Sequence, residues 1–385
     1  RPGASLLGRL NLAVDVDFEK AAGAKGLSFH GNVFAIHGDQ FTNRYLQSFM
    51  GASGIEGLTT VRLFEAWFEQ KFVNDRLSIR AGQLSADTEF ITTKFSDVFT
   101  NATFTWPAAT AINLPSGGPA TPLAALGARF RAKLSDNITG MIAVYNGDPA
   151  GPGEGDPQER NRYGLNFRLR DPPLVIGQVA FDWSDALGKS TPGAFKLGGF
   201  RHFGEFDSQR FASDGRSLAD PTSSGMPATL RGDSGVFAVI EQKVAARGDD
   251  EDRGIGVFAR AVVSPPDRNL IDVYADVGFQ GNGWFDARPN DKFGIAVAYA
   301  HVSRAVQALD RDYQFFLDPT FARRSSEALV TTAYAYELRP GWLLQPNAQF
   351  IARPGGGAAD PLKSGIPGRG LGNAFIFGLR TVVKF

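Results

Sequence analysis

Cysteine is missing from all 385 residues of the sequence. No disulfide can staple this chain, which fits an exported protein that must avoid stray cross-links. An uninterrupted apolar run of about 18 residues is missing too, and this excludes a transmembrane helix on length. Any membrane-spanning form must then be a closed β-barrel. Net charge is likewise absent: 40 Lys+Arg offset 40 Asp+Glu. A nucleic-acid binder needs a basic excess to neutralise phosphates, so nucleic acid is excluded as a partner, while balanced charge suits a pore for neutral solutes. The four histidines, His30, His37, His202 and His301, stand on separate segments without metal-ligand spacing. There is no Gly-x-Ser-x-Gly elbow and no phosphate loop, which argues against an enzyme. Asp and Glu are plentiful, however, and leave a paired-carboxylate site open. No basic-then-apolar export signal opens the chain at Arg1-Pro2-Gly3, as expected of a mature, processed protein.

What the chain does have is glycine (45), phenylalanine (32) and a recurrent period of two. In Leu126-Gly127-Ala128-Arg129-Phe130-Arg131-Ala132-Lys133-Leu134, an extended backbone puts Arg129, Arg131 and Lys133 on one side and Ala128, Phe130, Ala132 and Leu134 on the other. In a soluble sheet the apolar side lies on a core. In a membrane barrel it faces lipid, and the charges line a wet lumen. Residues 9–19 repeat the pattern over about the length of a tilted membrane strand, with Arg9, Asn11, Asp15, Asp17 and Glu19 opposed to Leu10, Leu12, Val14, Val16 and Phe18. Further strands are expected at 27–36, 61–72, 76–83, 138–145, 162–170, 174–183, 194–203, 235–244, 254–263, 270–280, 292–302, 327–338, 342–352 and 374–385. That makes sixteen, closing on Phe375, Phe377, Leu379, Thr381, Val383 and a terminal Phe385.

Two irregularities stand out. Residues 84–124 break the rhythm yet carry Phe90, Phe95, Phe99, Phe104 and Trp106, so this long segment is expected to fold into the barrel, where its rings can be buried. Long and short connections also fall out of phase. Counting back from the C-terminus makes 204–233, 305–324 and 353–370 outer loops, whereas counting forward puts 204–233 at the inner end. An element is therefore miscounted near 170–235, and the strand number is about sixteen.

Several stretches together resemble the carbohydrate-selective porins (OprB type) of Gram-negative outer membranes. They are Phe29-His30-Gly31, Gly38-Asp39, Leu63-Phe64-Glu65-Ala66-Trp67-Phe68-Glu69-Gln70, Arg80-Ala81-Gly82-Gln83, Trp106-Pro107-Ala108, Leu114-Pro115-Ser116-Gly117-Gly118-Pro119-Ala120, Gly127-Ala128-Arg129, Tyr145-Asn146-Gly147-Asp148-Pro149, Pro266-Asp267-Arg268-Asn269, Leu344-Gln345-Pro346 and the closing strand. The resemblance implies an all-β, 16-stranded antiparallel barrel spanning 1–385, with 84–124 as an inward constriction loop. It also implies passive diffusion of monosaccharides and similar polyhydroxylated solutes. Constriction arginines would match Arg80, Arg129 and Arg131, whose guanidinium forks suit sugar hydroxyls. Lys133 and Arg168 extend the cationic lining; Trp67 offers a ring for sugar stacking or for packing on the loop; and Glu65, Glu69, Asp15, Asp272 and Asp276 are candidate lumen carboxylates. Expected surroundings are outer-membrane lipid and lipopolysaccharide, with the barrel a monomer or a homotrimer. No cofactor is expected, although Asp148, Glu154 and Asp156 in the 146–159 loop could hold Ca²⁺ through oxygen ligands. Three alternatives remain open: a porin of the same build for organic acids, a non-transport structural barrel, and a soluble multi-sheet carbohydrate-binding protein.

Overall fold

The architecture comes from a computed structural model that describes residues 3–184, 191–248, 250–360 and 370–385. Fifteen strands form one sheet: β1 Gly8–Asp17, β2 Leu27–His37, β3 Thr60–Phe72, β4 Leu77–Leu84, β5 Ala125–Lys133, β6 Ile138–Asn146, β7 Pro173–Trp183, β8 Gly193–Ala212, β9 Pro227–Arg247, β10 Asp250–Val263, β11 Ile271–Asn282, β12 Lys292–Val302, β13 Ser326–Arg339, β14 Trp342–Ala352 and β15 Ala374–Val383. Each strand pairs antiparallel with its neighbour in sequence, in unbroken order from β1 to β15. Such a meander needs only local reversals, and it leaves every interior strand hydrogen-bonded on both edges.

Polarity is inverted relative to a soluble sheet. Phe130 is 42% exposed beside Arg129 at 2%, and Phe377 is 82% exposed on β15. Val273 and Val277 point outward as well, while the intervening Tyr274 and Asp276 are buried. The outward row is the lipid face of a transmembrane barrel. No helix among the described residues is long and apolar enough to cross a membrane.

The interior is filled by residues 85–124. Backbone N–H groups of this segment donate to Gln178 on β7 (from Ile91), Glu241 on β9 (Lys94) and Gln280 on β11 (Val98). Val98 also accepts from Gln345 on β14, and Asn101 donates to Gln349 on the same strand. Bonds to strands so far apart, all made from the same face of the sheet, place the segment inside the barrel. Phe90, Phe99, Phe104 and Trp106 are buried there with Phe258, Tyr274 and Val239 of the wall. The wall leaves room for them with small inner residues, among them Ala296, Ala298 and Ala300 on β12. Gly256 is the clearest case: a Cβ there would lie 2.2 Å from the Phe95 ring.

Fifteen of the sixteen expected segments are strands; residues 162–170 are not. Tyr163, Leu165, Phe167 and Leu169 do alternate outward, but 165–170 pair with no strand. Removing this segment restores the phase. The short connection 264–270 and all those longer than ten residues (38–59, 85–124, 147–172, 213–226, 303–325, 353–373) then leave from one end and the remaining turns from the other. Residues 361–369 of the last of these lie outside the described set. Two expected outer loops are also more regular than their composition suggested. Much of 204–233 is continuous strand, making β8 and β9 20 and 21 residues long, about twice what a tilted span requires. Within 305–324 a helix, Arg304–Phe316, starts at Ser303, whose hydroxyl accepts from the Val306 N–H.

Candidate functional site

The polar track along the inner wall is set by register. Asp15 lies directly across from His30, His30 from Trp67, Glu69 from Arg80, and Arg80 from Arg129. Side chains directly opposite on antiparallel strands share a face, so β1 to β5 present one continuous row. Asp15 Oδ1 is 2.7 Å from His30 Nδ1. The His30 ring stacks on Trp67 at 4.9 Å between centroids, and the Arg80 guanidinium lies 3.6 Å from the Trp67 centroid. Trp67 is thus flanked by His30 from β2 and Arg80 from β4. Its ring therefore orients Arg80 by a cation–π contact, and a sugar cannot stack on the faces those neighbours cover.

Next to it is a quartet of two arginines and two carboxylates. Arg129 donates through Nη2 to Glu69 (2.8 Å) and Glu89 (2.9 Å), through Nε to both Glu89 oxygens (3.1 Å), and through Nη1 to Ser78 Oγ (2.6 Å). Arg80 reaches Glu69 at 3.3 Å and Glu89 at 3.0 Å. Glu89 belongs to the inward segment, so the quartet joins wall to loop. Forked pairs of this kind fix both partners in direction as well as distance. The result is a locally charge-balanced wall rich in fixed donors and acceptors. Arg131 and Lys133 continue the row on β5; both are exposed, and neither makes an ion pair among the described residues.

Other expected lining residues have different neighbours. Asp276 is fully buried against Arg260, which chelates it at 2.6 and 3.1 Å and also donates to the Ile91 and Thr103 carbonyls of the inward segment. It is a loop anchor that no solute reaches. Glu65 is buried too, accepting the Ser85 N–H at 2.9 Å where the inward segment begins. Asp272 pairs with His301 at 2.6 Å near the long-loop end of β11. Arg168 is off the wall altogether. It packs over Gly151 and pairs with Asp171, whose carboxyl it holds below the usual aspartate range. Its segment alternates but is not a stave, so parity could not aim it into the lumen.

In the 146–159 loop, Asp148 accepts from the Ser116 hydroxyl and the Ala150 and Gly151 N–H groups, and Asp156 caps the turn at Gln158. Among the described residues no set of three or more His, Asp or Glu side chains is arranged to hold a metal.

Sequence reading did not place Glu89, Ser78 or His30 among the lining residues. It also passed over a second polar hollow of about 300 Å³, lined by Arg9, Arg380, Asp87, Asp97, Thr92 and Thr93. Arg9 and Arg380 alternate with the outward residues of their strands, but only the path of the inward segment brings Asp87 and Asp97 to them. Arg9 is on β1 and Arg380 on β15, so the hollow also shows the two ends of the sheet curling to one place.

The family described as carbohydrate-selective porin, OprB type, matches residues 1–385. The chain belongs to the carbohydrate-selective porin (OprB) family. As a member it is a β-barrel channel of the bacterial outer membrane. Porin B of Pseudomonas aeruginosa is 25% identical over 375 residues, covering 90% of this chain and 76% of the relative. Among solved structures, the high-pH structure of Pseudomonas putida OprB superposes with a TM-score of 0.83 at 19% identity, covering 99% of this chain and 88% of that one. The low-pH structure of the same protein gives 0.55 at 17% identity, covering 99% and 86%. At these identities the structures speak for the fold, and the porin barrel they share is the one described above.

Proposed function

We propose that this porin passes carbohydrates, in particular monosaccharides and similar polyhydroxylated solutes, by passive diffusion past the Arg80–Glu69–Arg129–Glu89 quartet. One observation carries the reading: two guanidinium forks and two carboxylates stand fixed where the wall meets the inward segment, paired in charge, with Arg80, Glu69 and Glu89 keeping part of their surface open and the buried Arg129 holding them in place. A sugar offers hydroxyls that both donate and accept, and such a wall answers both. Contacts of this kind are individually weak and lie in series from Asp15 to Arg131, which is what conduction requires, since a tightly held solute cannot leave. The same pairing weighs against organic acids, because Glu69 and Glu89 offset the field of Arg80 and Arg129.

Swelling of proteoliposomes with a panel of sugars and organic acids tests this directly. Monosaccharides should enter faster than organic acids of equal size, and Arg129→Ala combined with Arg131→Ala should abolish that preference. An unchanged solute order in the double variant would remove those arginines from the mechanism. Faster entry of organic acids in the parent would replace the sugar reading with the anion one.

A further inference from the structure

Arg9 lies near the start of β1 and alternates with Leu10, Leu12 and Val14, which are exposed on the lipid face. Arg380 on β15 alternates in the same way with Phe377 and Leu379. Both arginines therefore point inward, and both line the hollow of about 300 Å³ against the inward segment. Neither is neutralised by an ion pair among the described residues. Arg9 donates through Nη1 to the Gly54 carbonyl at 3.1 Å and lies 4.5 Å from the Phe34 centroid, contacts that fix its direction without cancelling its charge. Arg380 has no hydrogen-bond partner among the described residues and keeps part of its surface open.

The two carboxylates at the hollow are committed elsewhere. Asp97 pairs with Lys292 at 2.6 Å and accepts from the Gln280 side chain. Asp87 is buried, accepting from the Ser85 hydroxyl and from the Thr121 N–H at 2.9 Å. With Asp97 and Lys292 offsetting each other, two guanidiniums face one buried carboxylate, so the hollow is net positive where the Arg80–Glu69–Arg129–Glu89 quartet is balanced. Low-dielectric walls focus such a charge into the lumen.

Between the arginines the inward segment presents Thr92, Thr93 and Thr105, each partly open. The Thr92 carbonyl accepts from Lys196 Nζ at 2.7 Å, which ties this stretch to β8. The volume is at the small end of ligand sites and suits a single sugar ring. Glu89 lies between Asp87 and Thr92 on the same segment, so the hollow adjoins the quartet. A carboxylate takes two parallel bonds from a guanidinium fork, and sugar hydroxyls answer the threonines and the quartet. A simple organic acid can use only the first of these contacts and a neutral sugar only the second.

Resting on the carbohydrate path above, we propose that Arg9 and Arg380 form a second station on it that binds the carboxylate of monosaccharide-sized sugar acids, uronates and aldonates. Planar bilayers test this by the concentrations of glucuronate and of glucose that half-block the ion current at pH 7. In about 0.1 M KCl the parent should be half-blocked by glucuronate at a concentration about fivefold below that for glucose, and about 1 M KCl should erase most of that margin through screening. Arg9→Gln and Arg380→Gln should each cut the margin at least twofold, and the double substitution should remove it. Arg380→Lys, which keeps the charge, should retain more of it than Arg380→Gln. Heat-modifiable migration in SDS gels reports that each variant is folded. Equal half-blocking concentrations in the parent overturn the station and leave the neutral-sugar reading standing. A margin that survives in the folded double variant overturns the role of both arginines. Block of the parent by glucuronate but not by glucose, lost in the double variant, upholds the station and removes the neutral-sugar reading.

Discussion

Arg80 and Arg129 face each other across the β4–β5 ladder and share both Glu69 and Glu89. Two like charges held this close are stable only because the carboxylates interleave with them, so removing one arginine alters more than one contact. Arg129→Ala leaves Glu69 and Glu89 facing one cation, and breaking such a buried set costs roughly 3–5 kcal/mol. Planar-bilayer currents should shift toward cations, and sugar-dependent block should weaken by about tenfold, near 1.4 kcal/mol. Arg129→Lys keeps the charge but loses the fork, so cation preference should stay near the parent while sugar block still falls.

Trp67 governs Arg80 by stacking. Trp67→Ala is expected to free that guanidinium and broaden the distribution of single-channel conductances, while Trp67→Phe, which keeps a ring face, should remain close to the parent. Identical conductance histograms for all three would show that the stack does not position Arg80.

Arg260 ties the inward segment to the wall. Asp276→Asn strips the buried guanidinium of its counter-charge, and the barrel should lose several degrees of thermal stability by circular dichroism. Open-channel current should rise and become noisier as residues 91–103 loosen.

Gly256 and Phe95 form a size-complementary pair. Gly256→Val should displace the Phe95 ring and destabilise the barrel by about 1–3 kcal/mol. Phe95→Ala in the same chain should recover part of that loss, a coupling that a double-mutant cycle in thermal melts would read out.

The 147–172 connection responds to acid through Asp171. Its carboxyl is held below the ordinary value by Arg168, so the folded form releases the proton more readily than the unfolded one. That contribution is present above the ordinary aspartate pKa, near 3.9, and is lost as pH falls through the lower folded value. Protease cleavage within 147–172 should therefore accelerate in the parent as pH falls below about 4, whereas Asp171→Asn should show no such rise. Glu56 runs the other way. Burial raises its carboxyl against the opposing pull of hydrogen bonds from Thr42, so it favours the folded 38–59 connection at low pH and less as pH climbs.

Much of the barrel was legible because alternation reports an extended backbone and its two faces. Arg129 beside Phe130 showed a two-sided strand that fits either polarity, the lack of an apolar helix and the closing strand favoured the barrel, and the aromatic content of 84–124 pointed to an inward fold. The same signal misled at 162–170, where the backbone is extended and sided but has no ladder, because period two says nothing about a hydrogen-bonding partner. The real marks of this segment were Gly164, whose left-handed backbone suits glycine, and the rigid Asp171-Pro172-Pro173 exit. At the site, parity put Arg80, Arg129 and Glu69 on one face. Neighbours are another matter: Glu89 arrives on the inward segment, and Asp276 disappears beneath it, through contacts far apart in sequence. The length of β8 and β9 escaped notice because a stave that rises clear of lipid no longer needs greasy residues.

The alanines lining β12 have a consequence for how such a pore changes over time. With the cylinder left roomy and one excursion of the chain occupying it, aperture and chemistry are set by the filling while the cylinder stays as it is. Substitutions within 85–124 can therefore retune which solutes pass, without disturbing any hydrogen bond that keeps the staves together in the bilayer.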